Sequence, residues 1–199
     1  MLLHRYLEPV LGNRVTITLL RTMIKYKGKI FTIRGLADEA KVSHNEAALV
    51  THDLEKLGIV KIQPVGRAYQ VSLNEQSYIL NAAIKPIIEA EKNTIYELVQ
   101  LLKKHLDTKK IISAAVFGSV VKSEEKLDSD VDILVISNDH HYAIKLVSDA
   151  SQEAFSKFNV GLSPIIFTEK EFKAKQKGSL IQSIIYSHIL ICGKKIETP

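Results

Sequence analysis

Two strand-length apolar runs with a short polar segment between them constrain the fold of this chain most strongly. The first run is IISAAVF, residues 111–117, and the second is DVDILVI, residues 130–136. A Gly-Ser pair follows the first run, and two aspartates open the second. A carboxylate at the start of a buried strand is costly unless something compensates its charge. We therefore expect a cation or a ligand at this point of the fold.

The spacing of the two aspartates indicates which ligand that is. Asp130 and Asp132 stand at i and i+2, so a strand projects both side chains from one face. Two adjacent carboxylates repel each other, so one must be protonated or a cation must bridge them. Oxygen-only ligands suit Mg²⁺, which takes its other ligands from water and phosphate. The backbone N–H groups and hydroxyl of Gly118-Ser119 can hold such a phosphate. These are the parts of a site for nucleotidyl or phosphoryl transfer.

The segment GSVVKSEEKLDSDVDILV, residues 118–135, resembles the signature of the minimal nucleotidyltransferase family of the DNA polymerase β superfamily. The resemblance implies a C-terminal α/β domain with a mixed sheet, from about residue 90 to residue 193. It also implies transfer of a nucleoside monophosphate from an NTP to an acceptor hydroxyl, with release of pyrophosphate. A protein can be the acceptor, since members of this family often act as antitoxins that modify a toxin partner.

The resemblance assigns roles to five residues of the signature. Asp130 and Asp132 are implied as catalytic residues and as ligands of Mg²⁺, in a site with room for two metal ions. The residues implied in nucleotide binding are Gly118, Ser119 and Lys122.

The chain departs from the family pattern in the following strand, NVGLSPIIF, residues 159–167. Active members place a third carboxylate there as metal ligand and base, whereas this chain has Ser163. Loss of a general base typically costs a factor of about 10²–10⁴ in rate. Asp139, at the end of the preceding strand, is a candidate substitute. Ser123 also replaces a usual glycine. Two functions stay open: an enzyme, or a DNA-binding transcriptional regulator whose nucleotidyltransferase-like domain senses nucleotide or is inactive.

The N-terminal part has the element order of a different class of domain. Residues 10–75 show helix, short strand, helix, turn, helix and hairpin. Thr32 is predicted as an N-cap, and Ser43 with Glu46 as a capping box. Gly58 is predicted to end the third helix, and PVGR, residues 64–67, to form the hairpin turn. This order resembles the winged helix-turn-helix family of DNA-binding domains.

The charge distribution makes double-stranded DNA a candidate partner of this N-terminal part. Residues 1–80 carry 11 Lys and Arg against 7 Asp and Glu, whereas residues 81–199 carry 16 against 15. A basic excess favours contact with a polyanion. Use of the winged helix for dimerisation or partner docking is the alternative. The predicted DNA-binding residues are Lys41, His44, Asn45, His52 and Arg67.

Composition and patterning complete the expected organisation. The fold class is predicted as α+β, with a winged helix domain over 1–80 and a nucleotidyltransferase-like domain over 81–199. Pro86 should kink or restart a connecting helix over 82–106. This helix is expected to pack on the sheet of its own chain, and the alternative is that it forms the interface of a homodimer. The one cysteine excludes an intramolecular disulfide, and a reduced, cytoplasmic setting is therefore expected.

The sequence also predicts a protein without membrane contact. The chain has no apolar run of membrane length. Residues 1–10 are too short and too interrupted for a secretory signal.

Overall fold

The computed structural model describes residues 6–197, and the chain divides into two compact units, residues 1–92 and 93–199. The predicted division at residue 80 concerns independently folding domains and stays a prediction. Residues 1–5, part of the stretch expected not to be a secretory signal, lie outside the described residues. Among residues 6–197, no helix has both the length and the apolar character needed to cross a membrane.

The first unit is a winged helix, as the element order predicts. Residues 6–75 form four helices and three strands, and the strands form an antiparallel sheet in the order β1-β3-β2. The helices are α1 (Leu7–Leu11), α2 (Arg14–Lys25), α3 (Ile33–Ala40) and α4 (His44–Lys56), and the strands are β1 (Phe31–Thr32), β2 (Val60–Val65) and β3 (Ala68–Leu73). Apolar side chains from all three of the longer helices and from the sheet share one core.

Two of the three predicted helix ends are confirmed. The Thr32 side chain accepts a hydrogen bond from the Gly35 N–H at 3.0 Å and so caps α3. Gly58 follows α4 with a φ of +72°, which a glycine adopts without strain.

The predicted capping box of Ser43 and Glu46 is wrong. Ser43 is the N-cap residue of α4, but its side chain makes no capping hydrogen bond. A contact between neighbouring helices stands at this end instead: His44 Nε2 lies 2.6 Å from Asp38 Oδ1. A capping box does form at a helix of the second unit, Glu169–Lys175, between Thr168 and Glu171.

The hairpin turn is tighter than predicted. Strand β2 continues through Pro64 to Val65, and β3 begins at Ala68, so only Gly66 and Arg67 form the turn. A two-residue turn requires positive φ, and Gly66 has a φ of +59°.

The predicted connecting helix changes its hydrogen-bond pattern before the proline. A π-helical segment, Leu80–Ile84, continues directly into α5, Lys85–Leu106. Pro86 has no N–H to donate and cannot extend an α-helical hydrogen-bond ladder from the preceding turn. The change from π to α at Lys85 is the restart that Pro86 predicts.

The second unit has a four-stranded mixed sheet. Its order is β6-β5-β4-β7, with β5 and β6 parallel and the other neighbours antiparallel. The strands are β4 (Ser113–Phe117), β5 (Val131–Ile136), β6 (Leu162–Phe167) and β7 (Ile189–Gly193), and the helices are α6 (Ser119–Lys122), α7 (His140–Phe158), α8 (Glu169–Lys175) and α9 (Ser179–Tyr186). The predicted α+β class with a mixed C-terminal sheet is confirmed.

Helices cover both faces of this sheet. One face of β4 and β5, including Val116 and Ile133, packs with α7 and the second half of α5. The opposite face, including Phe117 and Leu134, packs with α8 and α9. Because successive residues of a strand alternate between faces, Asp132 belongs to the same face as Leu134. Cys192 is free and buried, and burial raises the pKa of its thiol to about 11.

Candidate nucleotide-binding site

Strand pairing brings the end of β4 to the starts of β5 and β6. Phe117 is paired with Asp132, and Asp132 is paired with Ser163. Directly paired residues share a face of the sheet, so these three side chains form a row across it. Gly118 follows Phe117 and lies beside the start of β5. The two segments of the sequence signature, eleven residues apart in the chain, therefore meet in space.

Two glycines make room for the two carboxylates. Gly118 has a φ of +81°, and a Cβ on it would overlap Oδ2 of Asp132. A Cβ on Gly161 would overlap Oδ1 of Asp130. Each carboxylate therefore lies directly against a glycine backbone. Sequence reasoning missed the role of Gly161, since only its position before an apolar strand marked it.

The two carboxylates lack cationic partners in the part of the chain that the structure describes, where neither forms an ion pair. Burial and the charge of Asp130 raise the pKa of Asp132 above its usual range. A hydrogen bond with the Ser163 side chain opposes that rise in pKa. The start of β5 therefore holds negative charge that its surroundings do not offset.

The donor set fits Mg²⁺ better than a metal held by many protein side chains. Between residues 6 and 197, no group of three or more His, Cys, Asp or Glu side chains is arranged to hold a metal ion. Mg²⁺ commonly takes only one or two protein carboxylates and completes its octahedron with water and substrate phosphates. Asp130 and Asp132 supply that number of carboxylates.

The predicted nucleotide-binding residues lie within one turn of chain. Ser119 begins α6 and is half-buried, and Lys122 ends α6 and is exposed. Ser123 follows with a φ of +57°, in the left-handed region that glycine favours. This geometry explains why a glycine is usual at the position of Ser123 in the family.

Asp139 is too far from this site to replace the missing acid. It lies three residues beyond Ile136, the last residue of β5, and the strand from Asp132 to Ile136 alone spans about 13 Å. Its side chain accepts a hydrogen bond from the Tyr142 N–H at 3.0 Å, caps α7, and pairs with Lys110 at 2.8 Å. The expectation that Asp139 could act as the base is therefore wrong. His140 and His141 begin α7.

The predicted DNA-binding residues are all exposed on the winged helix. Arg67 lies in the hairpin turn, and the ring of His52 contacts Tyr69 of β3 edge to face, with 6.4 Å between centroids. Lys41 ends α3, and His44 and Asn45 lie in the first turn of α4.

The exposed side of α4 is chemically mixed. His44 contacts Asp38, and His52 Nδ1 lies 3.8 Å from Glu55 Oε2. Leu49, on the same helix, is 69% exposed. Apolar and acidic groups thus accompany the predicted DNA-binding residues.

The C-terminal part of the chain is similar to a known protein family. Residues 95–191 match the family model described as "Nucleotidyltransferase domain". A comparison with curated protein sequences gives no match.

Three solved structures are similar to the chain. A toxin–antitoxin structure with AMP-PNP shows 18% identity and a TM-score of 0.34, covering 50% of this chain and 73% of that one. A mutant of the toxin–antitoxin MntA-HpeT shows 16% identity and a TM-score of 0.33, with the same coverage. TrmBL2, described as an archaeal chromatin protein with a novel mode of DNA binding, shows 20% identity and a TM-score of 0.30, covering 90% of this chain and 75% of that one.

Proposed function

Because residues 95–191 match the family model of a nucleotidyltransferase domain, we propose that this chain is a Mg²⁺-dependent nucleotidyltransferase. It transfers a nucleoside monophosphate from an NTP to an acceptor hydroxyl, and a protein hydroxyl is the acceptor we favour. The acceptor oxygen forms a bond to the α-phosphorus, the bond from that phosphorus to the bridging oxygen breaks, and pyrophosphate leaves. The observation that carries the proposal is the pair of uncompensated carboxylates, Asp130 and Asp132, against the Gly118 turn.

Some residues of the proposed site would bind the metal, and others would bind the phosphates. Asp130 and Asp132 would hold one or two Mg²⁺ ions, which offset the charge of the triphosphate and of the leaving pyrophosphate. The backbone N–H groups beside Gly118 and the Ser119 hydroxyl donate hydrogen bonds to phosphate oxygens. Lys122, exposed one helical turn away, adds a positive charge.

Ser163 lies beside one of the proposed metal-binding carboxylates. It is paired with Asp132 across β5 and β6, and its side chain opposes the rise in the pKa of that carboxyl. A hydroxyl is a much weaker base than a carboxylate, so the proton of the acceptor must pass to solvent or to the acceptor itself. We therefore expect slow transfer compared with an enzyme that carries an acid at this position.

The same position supports a second candidate function. Ser163 stands in register with Asp132, where the family places its third carboxylate. A chain with this substitution can bind Mg-NTP without transferring it. In that case the domain senses nucleotide, and the winged helix acts as a DNA-binding transcriptional regulator.

Release of pyrophosphate from Mg-NTP distinguishes the two candidates. The enzyme proposal predicts release, dependent on a protein acceptor, that disappears in Asp130→Asn. Asp139→Asn is the matched control, because that aspartate belongs to the capping network at the other end of β5. Binding of nucleotide without any release in the native chain would favour the sensing regulator.

Contact with duplex DNA through the winged helix is part of both candidates. We expect a gel shift with random duplex at low salt that Arg67→Ala weakens, because Arg67 is exposed in the hairpin turn and its positive charge attracts phosphates. Lys56→Ala removes a charge at the far end of α4, where Lys56 pairs with Asp53 at 2.8 Å, and serves as the control. Equal binding by both variants would rule out the wing as a DNA contact. The homodimer stays a prediction.

A further inference from the structure

One histidine continues the row of paired residues on the side of the sheet away from Ser163. His188 immediately precedes β7, and its neighbour Ile189 is paired with Val116. The pairing of β4 with β7 ends at Val116 and Ile189. Because the two strands are antiparallel, continuing the same register by one residue puts Phe117 opposite His188. Both side chains of such a pair point to the same face, which is the face that carries Asp132.

This placement puts His188 across the Gly-Ser turn from the carboxylates. Adjacent strands lie about 4.8 Å apart, so this continued register puts His188 two strands from Asp132, at about 10 Å, with Phe117 on the strand between them. Gly118 continues the chain from Phe117 at that edge of the sheet. A triphosphate held at the Gly118 turn would therefore have the Asp132 carboxylate on one side and the His188 ring on the other.

Among residues 6–197, the hydrogen bonding of His188 uses one of its two ring nitrogens. Nδ1 lies 2.8 Å from the carbonyl oxygen of Ile184. A carbonyl can only accept, so Nδ1 carries a hydrogen and donates it. Ile184 lies in the last turn of α9, where carbonyl groups lack partners within the helix, so this bond caps the helix. The cap leaves Nε2, on the far edge of the ring, without a role in the packing of α9.

The charges expected in a loaded site call for one more donor. Two carboxylates and a triphosphate carry more negative charge than two Mg²⁺ ions and Lys122 together can balance. A protonated histidine donates a charge-assisted hydrogen bond to phosphate, and a nearby phosphate in turn favours the protonated ring.

We propose that His188 binds the terminal phosphates of the NTP, with Nε2–H donating to a phosphate oxygen while Nδ1–H stays bonded to Ile184. This assignment rests on the proposed nucleotide site and adds a residue from β7 to it. The residue is a binding residue for the leaving pyrophosphate end, opposite the carboxylates that hold the metal.

Two substitutions separate this role from the helix cap. His188→Asn places an amide N–H where Nδ1–H is, so it keeps a donor for the Ile184 carbonyl and removes Nε2. His188→Ala removes both. We expect the melting temperature to stay unchanged in His188→Asn and to fall in His188→Ala, since only the alanine variant loses the cap.

Calorimetric titration tests the contact, using whichever of ATP, GTP, CTP and UTP binds the native chain most tightly with Mg²⁺. The affinity of His188→Asn should be about tenfold lower than that of the native chain, the effect of one charge-assisted hydrogen bond. The ¹⁵N NMR signal of His188 Nε2 in the native chain should shift with this triphosphate and should not shift with the corresponding monophosphate.

Three results would overturn the assignment of His188. Two of them would leave the proposed nucleotide site standing, and the third would overturn that site as well. Native affinity in His188→Asn would reduce His188 to a helix cap. An equal Nε2 shift with the monophosphate would move the contact away from the terminal phosphates. In both cases, loss of binding in Asp130→Asn/Asp132→Asn would leave the proposed nucleotide site intact. No binding of any NTP by the native chain would remove the site and His188 together.

Discussion

The two ends of β5 carry carboxylates in opposite electrostatic situations. Beyond its carboxyl end, Asp139 caps α7 and pairs with Lys110, and the pKa of Asp139 is held below its usual range by that hydrogen bond and by the Tyr142 N–H. At its start, Asp132 has no ion pair within residues 6–197, and burial and the charge of Asp130 raise its pKa. The surroundings of one carboxylate stabilise its charge, and those of the other oppose it.

This difference distinguishes a structural carboxylate from a functional one. A capped and paired aspartate needs nothing further, and removing it affects only the fold. An aspartate kept beside a like charge costs stability in the free protein and gains partners only when a cation arrives. The contrast predicts which substitutions alter ligand binding, which alter stability, and in which direction.

The largest expected effect is on the rate of transfer, and it comes from adding a third carboxylate beside the start of β5. Ser163→Asp places an acid beside Asp132 in the sheet register. We expect pyrophosphate release with an acceptor to rise about 10²- to 10⁴-fold, because the acceptor hydroxyl gains a general base. Ser163→Asn, similar in size and without charge, should give no rise. An unchanged rate in Ser163→Asp would show that the missing acid does not limit the reaction.

Gly118→Ala should disrupt the start of β5, because Gly118 lies directly against Asp132. An alanine here would have to adopt the positive φ of Gly118, and its Cβ would overlap Oδ2 of Asp132. We therefore expect a loss of about 1–3 kcal/mol in the free energy of unfolding. Displacement of Asp132 should also weaken Mg-NTP binding at least about tenfold. Both effects are measured by denaturant unfolding and by calorimetry.

Gly66→Ala is the matched control for that substitution. Gly66 also has positive φ, at +59°, but a Cβ there meets no atom within 4 Å. It should lower stability and leave nucleotide affinity unchanged. Equal losses of nucleotide affinity in both glycine variants would contradict the close fit of Gly118 to Asp132.

Substitution of the two aspartates should change metal-free stability in opposite directions. Asp132→Asn removes a negative charge that burial and Asp130 disfavour. It should raise the free energy of unfolding at pH 7 by less than about 1 kcal/mol, since solvent screens a partly exposed group. Asp139→Asn removes the partner of Lys110 and should lower the melting temperature. Thermal unfolding in the presence of a chelator compares the two variants. Destabilisation by both would show that Asp132 is as well accommodated as Asp139.

The pH dependence should show the same opposition, with the smallest effect. The folded-state pKa of Asp139 is lowered, so its contribution to stability is present above the unfolded pKa and is lost as pH falls through the folded value. The folded-state pKa of Asp132 is raised, so its contribution is present below the unfolded pKa and is lost as pH rises through the folded value. Unfolding curves of the native chain and both variants between pH 3 and 7 should therefore diverge in opposite senses, and parallel curves would contradict this difference.

The sequence predicts the local half of this structure well. Apolar runs and turn residues place β4, β5 and the winged helix, because periodicity and turn chemistry act over a few residues. Pairing between distant strands is what the sequence does not reveal. Gly161 and His188 lie near the proposed site only because β6 and β7 are added to opposite sides of the β4–β5 pair. Ser43 failed as a cap for a related reason, since a neighbouring helix supplies the contacts at the start of α4.

The most direct test of the central claim is calorimetric titration of Mg-NTP into the native chain, Asp130→Asn/Asp132→Asn and Asp139→Asn. The titration is repeated with a chelator in place of Mg²⁺. We predict metal-dependent binding in the native chain, a loss of at least about 100-fold in the double variant, and an affinity within about twofold of native in Asp139→Asn. Binding that survives the double substitution, or that Asp139→Asn removes equally, would contradict the assignment of the start of β5 as the nucleotide site.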